Sequence, residues 1–366
     1  MPGKILKAAA RAVFRLLGTG TPRRRPPQLK RLAVIAGGWL GDTFWALQTL
    51  PELRELLPET EILAVVRPGA RALLRGLLPD GQTVTTDAIV SDRTRERFRP
   101  GAFLATAHAV RRLRPDAVLD LMGNRYSALF CRLLGAYSAG LAAGDGSEAL
   151  YSLAVPPDAV PGTHMALRPR AVVRRFLGLP DSAEFTLRPP QTADVATVRA
   201  RENLDPEKPL ALLVPGAGWP AKAWPAEKYR DAAEKLAARG WQLAVSVSEK
   251  EDALFAAVAG AIPGVRKITG VARAVDLIPL CRLCLGGDTG IMHIAESFGV
   301  PCVELYCQTN PALHRAPGAH VRCLCAPCPL APKGDRKFCA EPPAPSCARA
   351  EFMDIGVEEA LKTVED

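Results

Sequence analysis

Apolar and polar positions fall into two tandem series of short buried strands and amphipathic helices. The first opens with Arg31-Leu-Ala-Val-Ile-Ala-Gly37, an apolar run ended by glycine. Helical spacing follows at Phe44, Leu47, Leu50, Leu53 and Leu56-Leu57, and Glu61-Ile-Leu-Ala-Val-Val66 reads as the next strand. Strand, glycine turn, helix, strand is the opening of a βαβ unit. Further strands are expected at Ala88–Val90 and Ala117–Leu121, with Arg111, Arg112 and Arg114 closing the helix between them, as its dipole favours. Residues 151–188 mix short apolar runs with prolines. The second series runs through a strand at Leu210–Val214, a helix at Ala226–Arg239 ended by Gly240, and a strand at Trp241–Ser248. Helices are then expected at Asp252–Ala261, Ala274–Leu280 and Gly290–Phe298, with strands at Leu283–Gly286 and Val303–Tyr306. This pattern predicts the α/β class: two Rossmann-like doubly wound domains facing a central cleft. The expected divisions are a basic tail at 1–30, one domain at 31–188, a second at 189–349 that includes a cysteine-rich loop at 316–349, and a terminal helix at 350–366.

Composition narrows the class. The 366 residues are 48% hydrophobic and 23% charged, the balance of a globular protein with room for two domains. Aromatics at 6% argue against a base-stacking surface, so no nucleic-acid partner is expected. The formal charge is +9, and residues 1–30 contribute Lys4, Lys7, Arg11, Arg15, Arg23, Arg24, Arg25 and Lys30 with no acid. Lys4, Lys7, Arg11 and Arg15 share one helical face beside Ile5, Leu6, Val13, Phe14, Leu16 and Leu17. Such a segment fits either peripheral contact with an anionic membrane or a solvated basic arm. No stretch reaches the ~18 apolar residues of a membrane span, so a cytoplasmic protein is expected, at most peripheral to the inner membrane.

Three glycine turns carry the candidate chemistry. Gly37-Gly38-Trp39-Leu40-Gly41-Asp42 lies where the first strand becomes a helix. Asp42 reads either as a helix cap or as a catalytic carboxylate at a strand's C-terminal edge. Ala36, Gly38 and Gly41 also fit A-x-G-x-x-G, a weak nicotinamide-dinucleotide signal without its ribose-binding acid, because Arg67 stands in that region. The second turn, Val214-Pro-Gly216-Ala-Gly218-Trp-Pro-Ala-Lys222, offers backbone amides and an ammonium to a phosphate. The third, Gly286-Gly-Asp288-Thr289-Gly290-Ile-Met-His293, places a hydroxyl and free amides at a helix N-terminus, another anion site. His293 reads as a group that holds the turn. No Asp-x-Asp triplet occurs, so no cofactor is expected for catalysis.

With GGWLGDTFWALQTLPELRELLP, VPGAGWPAKAWPAEKY and GGDTGIMHIAESFGVPCVELY, the chain resembles glycosyltransferase family 9, the ADP-heptose:lipopolysaccharide heptosyltransferases. The resemblance covers residues 31 to 360 and implies a GT-B fold, with acceptor on the N-terminal domain and donor on the C-terminal one. It implies Asp42 as the catalytic base, with Gly38 and Gly41 on the acceptor side. It assigns the donor to Lys222, Gly216, Gly218, Asp288, Thr289, Gly290 and His293, with Glu249 or Glu251 on the ribose. It implies heptose transfer from ADP-L-glycero-D-manno-heptose to a glycolipid acceptor, Kdo-lipid A or heptosyl core. Charge alone suggests Arg67, Arg71 and Arg125 to face the anionic groups of that acceptor. Gly218 stands where the family often has Ser or Thr, which leaves open a same-fold transferase for another nucleotide-sugar. A nicotinamide oxidoreductase is the alternative of a different class.

Cys323, Cys325, Cys328, Cys339 and Cys347 crowd into the 316–349 loop. Cys325, Cys328, Cys339 and Cys347 have spacings suited to a structural Zn²⁺; reduced thiols are the other reading.

Overall fold

The computed structural model describes residues 11–21, 24–89, 98–160, 162, 164–218, 222–326 and 355–362. It divides into two units, Met1–Thr186 and Leu187–Asp366. Each unit carries one six-stranded sheet in which every pairing is parallel.

In the first unit the strands are β1 (Arg31–Ala36), β2 (Glu61–Val66), β3 (Thr83–Thr85), β4 (Ala117–Asp120), β5 (Tyr137–Leu141) and β6 (Leu153–Val155). Their order in the sheet is β3-β2-β1-β4-β5-β6. The second unit repeats this plan with β7 (Leu210–Val214), β8 (Gln242–Val247), β9 (Arg266–Thr269), β10 (Leu283–Gly287), β11 (Cys302–Tyr306) and β12 (Val321–Cys325), in the order β12-β11-β10-β7-β8-β9. Both are the Rossmann order, in which the chain reverses direction across the sheet beside the first strand. The reversal falls between β1 and β4 in one unit and between β7 and β10 in the other. There the neighbouring loops leave on opposite faces and open a crevice at the carboxyl ends of the strands.

The central strands read as continuous apolar runs because helices cover both faces. Leu32 through Ala36 and Leu210 through Leu213 are buried, as are Leu283, Cys284 and Leu285. The second core gathers Trp224, Tyr229, Ala232, Ala233 and Leu236 against Val245, Leu285 and Val303.

Several expectations shift. The helical pattern of residues 44–57 is two helices, Leu40–Leu47 and Leu50–Leu56, because Pro51 starts a new first turn. The third strand is Thr83–Thr85 rather than Ala88–Val90: its Thr-Val-Thr alternation suits a half-covered edge, whereas Ala88 and Ile89 pack into the core outside the sheet, and Val90 lies outside the described residues. The 316–349 segment begins as a strand, since Val321–Cys325 pairs with β11 along its whole length. Residues 327–349 lie outside the described residues. The terminal helix spans Val357–Leu361 in the described part of 350–366 and packs Ala360 and Leu361 into the second core. Residues 11–18 of the basic tail are helical and dock on the first unit. Arg11 donates to the Gly144 carbonyl, Arg132 donates to the Leu17 carbonyl, and Phe14 packs against the core.

The first unit encloses one buried acid at its switch point. Asp120, at the end of β4, accepts from the Met122 and Gly123 amides at 2.8 and 3.3 Å and from the Tyr151 hydroxyl at 2.5 Å. Burial raises its carboxyl above the ordinary range, and these hydrogen bonds hold part of that shift back. Tyr151→Phe leaves this buried oxygen without its donor. Chemical denaturation should show a loss of about 1–3 kcal/mol; a stability equal to wild type would mean that Asp120 is held by its amides alone.

Candidate functional site

All three glycine turns lie at the carboxyl ends of switch-point strands. After β1, Gly37 and Gly38 are buried and the helix Leu40–Leu47 starts from Trp39. Asp42 occupies its first turn, half-buried, so it is not the cap. Among the described residues no hydrogen bond or ion pair ties its carboxylate. Thr43 beneath it donates to the Ala36 carbonyl at 3.0 Å and fixes the turn. Gly38 permits the close approach: a Cβ there would stand 2.2 Å from the Met122 methyl and 3.2 Å from the Asp42 Cβ. Gly41 shares this turn. Arg67, Arg71 and Arg125 face local acids, Asp87 at 3.2 Å, Asp80 at 3.3 Å and Asp145 at 3.9 Å.

In the second unit the turn after β7 and the turn after β10 meet. A Cβ on Gly287 would stand 3.1 Å from the Lys222 carbonyl, so that glycine lets the two backbones touch. Across this contact the Lys222 ammonium pairs with Asp288 Oδ2 at 2.5 Å. The loop is anchored behind by Trp224, which stacks edge-on against Tyr229 at 4.9 Å and donates to the Ile355 carbonyl; Tyr229 donates to the Val214 carbonyl at 3.1 Å. Of Glu249 and Glu251, Glu251 faces the turn: its Oε2 accepts from the Ser248 amide at 2.7 Å and lies 3.4 Å from a Cβ built on Gly216. Glu249 is exposed, and Gly218 borders open space.

Thr289 precedes the helix Gly290–Ser297 but does not cap it with its side chain. Its hydroxyl is buried without a hydrogen-bond partner among the described residues, and so is that of Thr309 beyond β11. Buried polar groups of this kind want a partner, and an anion at the helix N-terminus could supply one to Thr289.

His293 does more than hold the turn. Its Nε2 meets Asp288 Oδ1 and its Nδ1 meets Glu296 Oε2, each at 3.1 Å. Burial opposes charge on the ring, but these two carboxylates outweigh it and push the imidazole up to about 10. Burial likewise opposes charge on Asp288, and the Lys222 ammonium and His293 together hold its carboxyl well below the usual range. Glu304 is fully buried beneath them. Desolvation and then the charge of Glu296 raise its carboxyl well above the ordinary value, while Tyr306 donates to its Oε2 at 2.9 Å. Glu296, Glu304 and Tyr306 were not among the residues expected at the site. The available signal was Glu304 itself, an acid inside a strand buried on both faces.

Of the four cysteines read as a zinc set, Cys325 ends β12 and is exposed; Cys328, Cys339 and Cys347 lie outside the described residues. Cys325 Sγ stands 4.0 Å from that of Cys323, and this contact lowers its thiol to about 7, with Arg315 assisting and partial burial opposing.

Each unit thus carries a parallel Rossmann-type sheet, with Asp42 after the switch-point strand of the first and the Lys222–Asp288 pair at the switch point of the second. The profile of Glycosyltransferase family 9 (heptosyltransferase) matches residues 103–342, and the chain belongs to that family. It is 28% identical over 316 residues to lipopolysaccharide heptosyltransferase 1 of Pseudomonas aeruginosa, covering 81% of this chain and 86% of that one. Its fold is similar to that of the E. coli ADP-heptose lps heptosyltransferase II, with TM-score 0.71 and 20% identity over 92% of this chain and 97% of that one. It is also similar to an E. coli heptosyltransferase solved with ADP-2-deoxy-2-fluoro heptose, with TM-score 0.65 and 17% identity over 92% and 99% of the two chains.

Replacing Lys222 by Met takes the ammonium from the Asp288 carboxylate in a nearly solvent-free position and leaves it to His293. Lys222→Met should lower the unfolding free energy by on the order of 3 kcal/mol, and adding Asp288→Asn should restore most of it. Urea titration of the single and double variants measures the coupling; purely additive losses would show that the pair contributes nothing.

Proposed function

We propose that this glycosyltransferase moves a heptose from ADP-L-glycero-D-manno-heptose to an inner-core acceptor of lipopolysaccharide, with inversion at the anomeric carbon. The observation that carries the reading is the β7/β10 turn pair. It gathers an ammonium, a helix N-terminus and the Thr289 hydroxyl, unpartnered among the described residues, where the Rossmann order puts a ligand. The P. aeruginosa relative, named a lipopolysaccharide heptosyltransferase, supports the sugar and the acceptor class.

In the transfer the acceptor oxygen bonds to the anomeric carbon as the bond from that carbon to the diphosphate oxygen breaks. Asp42 takes the hydroxyl proton; its carboxylate is half-buried and uncommitted to any described partner. The diphosphate gains charge, which Lys222, Thr289 and the amides of Gly290 and Ile291 receive. Lys222 stays ready for this because Asp288 holds it, and His293 holds Asp288. Gly216 and Gly218 keep the turn open to the donor, and Glu251 is the acid positioned for the ribose. Transfer itself uses no cofactor in this scheme.

The protein works in the cytoplasm, at the surface of the inner membrane. No helix among the described residues is long and apolar enough to cross a membrane. The docked 11–18 helix nonetheless exposes Val13 by 54% and Leu16 by 72%, beside Arg11 and Arg15. That combination suits an anionic leaflet.

Asp42→Asn should lower kcat by at least about a hundredfold while ADP-heptose binding, read by calorimetry, stays within a factor of two. Near-wild-type turnover would remove Asp42 as the base, and equal turnover with UDP- or GDP-sugars would remove the donor assignment. Vesicles containing anionic phospholipid should sediment the full chain, and Leu16→Glu should release it; binding to neutral vesicles of equal strength would refute the electrostatic part.

A further inference from the structure

We propose that His293 Nδ1, Glu296 Oε2 and Glu304 Oε1 form a site for one divalent transition-metal ion, of the borderline class that includes Zn²⁺. Each of the three residues offers one ligand atom, and these atoms all lie within 4.8 Å of one another. His293 Nδ1 and Glu296 Oε2 are 3.1 Å apart, close to the edge of a tetrahedron with metal bonds of about 2.0–2.1 Å.

The atoms left over are what distinguish this group from a chance cluster. Each side chain has its other polar atom fixed from outside. His293 Nε2 meets Asp288 Oδ1 at 3.1 Å, Glu296 Oε1 accepts from the Ala316 amide at 2.7 Å, and Glu304 Oε2 accepts from the Tyr306 hydroxyl at 2.9 Å. This is the outer-shell arrangement that orients metal ligands, the carboxylate behind the imidazole above all. It leaves one inward atom per residue. Glu304 Oε1 is among them: it is buried and has no hydrogen-bond partner among the described residues.

A divalent ion would take the place of the proton on His293 Nδ1, leaving the ring neutral and donating from Nε2 to Asp288. One nitrogen and two carboxylate oxygens suit Zn²⁺, Fe²⁺ or Mn²⁺, whereas Ca²⁺ and Mg²⁺ favour all-oxygen shells. The ion would join the helix Gly290–Ser297 to β11. Through His293 it would also set the position of Asp288, and so of Lys222. The site takes no part in the transfer step and stands whether or not the donor is ADP-heptose.

The test uses the full chain, stripped with chelator and titrated with Co²⁺. Wild type should take up one equivalent with the weak visible bands of nitrogen and oxygen coordination, distinct from the intense near-ultraviolet band of thiolate-bound Co²⁺ at the cysteines. Glu304→Gln should lose that equivalent and those bands. Tyr306→Phe, which keeps the ligands, should weaken binding by about tenfold or more. Zn²⁺ should raise the melting temperature of stripped wild type and leave that of Glu304→Gln unchanged. Uptake confined to the thiolate band in folded wild type would overturn the proposal, as would unchanged visible bands in Glu304→Gln. If Glu304→Gln does not fold, the wild-type bands alone decide.

Discussion

The second unit is organised around a chain of charge in which Lys222 meets Asp288, Asp288 meets His293, and His293 meets Glu296, nearly all of it sealed from water. No single charge could be left there alone, because an unpaired buried ion costs several kcal/mol. The groups therefore fix one another, and with them the ends of β7, β10 and the helix after β10. The outer end of the chain is the ammonium of Lys222, still partly open to solvent. A leaving diphosphate would meet a cation whose position is already set, which is the condition for electrostatic help to cost no rearrangement during reaction.

The two sheets share one strand order but differ at their switch points. In the first unit Asp120 is enclosed by Tyr151 and the amides that follow β4, while Asp42 is only half-buried. One acid is structural, and the other is available. In the second unit cations, hydroxyls and amides replace the open acid. The same backbone plan thus presents opposite chemistry from its two copies, and the difference lies in a few residues after the strands rather than in the sheets.

Much of this was legible in the sequence. The central strands announced themselves because burial on both faces demands unbroken apolar runs, and the three glycine turns marked their carboxyl ends. The peripheral strands were harder. Tyr137–Leu141, Leu153–Val155, Arg266–Thr269 and Val321–Cys325 are three to five residues long, and some carry polar side chains that a sheet edge tolerates. Asp42, Lys222, Asp288 and Thr289 were readable as chemistry because they sit on turns. Glu296 and Glu304 were not, because an acid on a helix or a strand reads as solvated until its neighbours are known. Only the pairing of β11 between β10 and β12 shows that Glu304 cannot reach water. Asp120 was hidden in the same way, within an otherwise apolar strand.

The Met122 methyl fills the space that a side chain at position 38 would need. Those two positions lie more than eighty residues apart in the chain. A larger residue 38 would have to push the flexible end of Met122 aside and would crowd the Cβ of Asp42, 3.2 Å away, so the bare backbone at position 38 helps to set where that carboxylate stands.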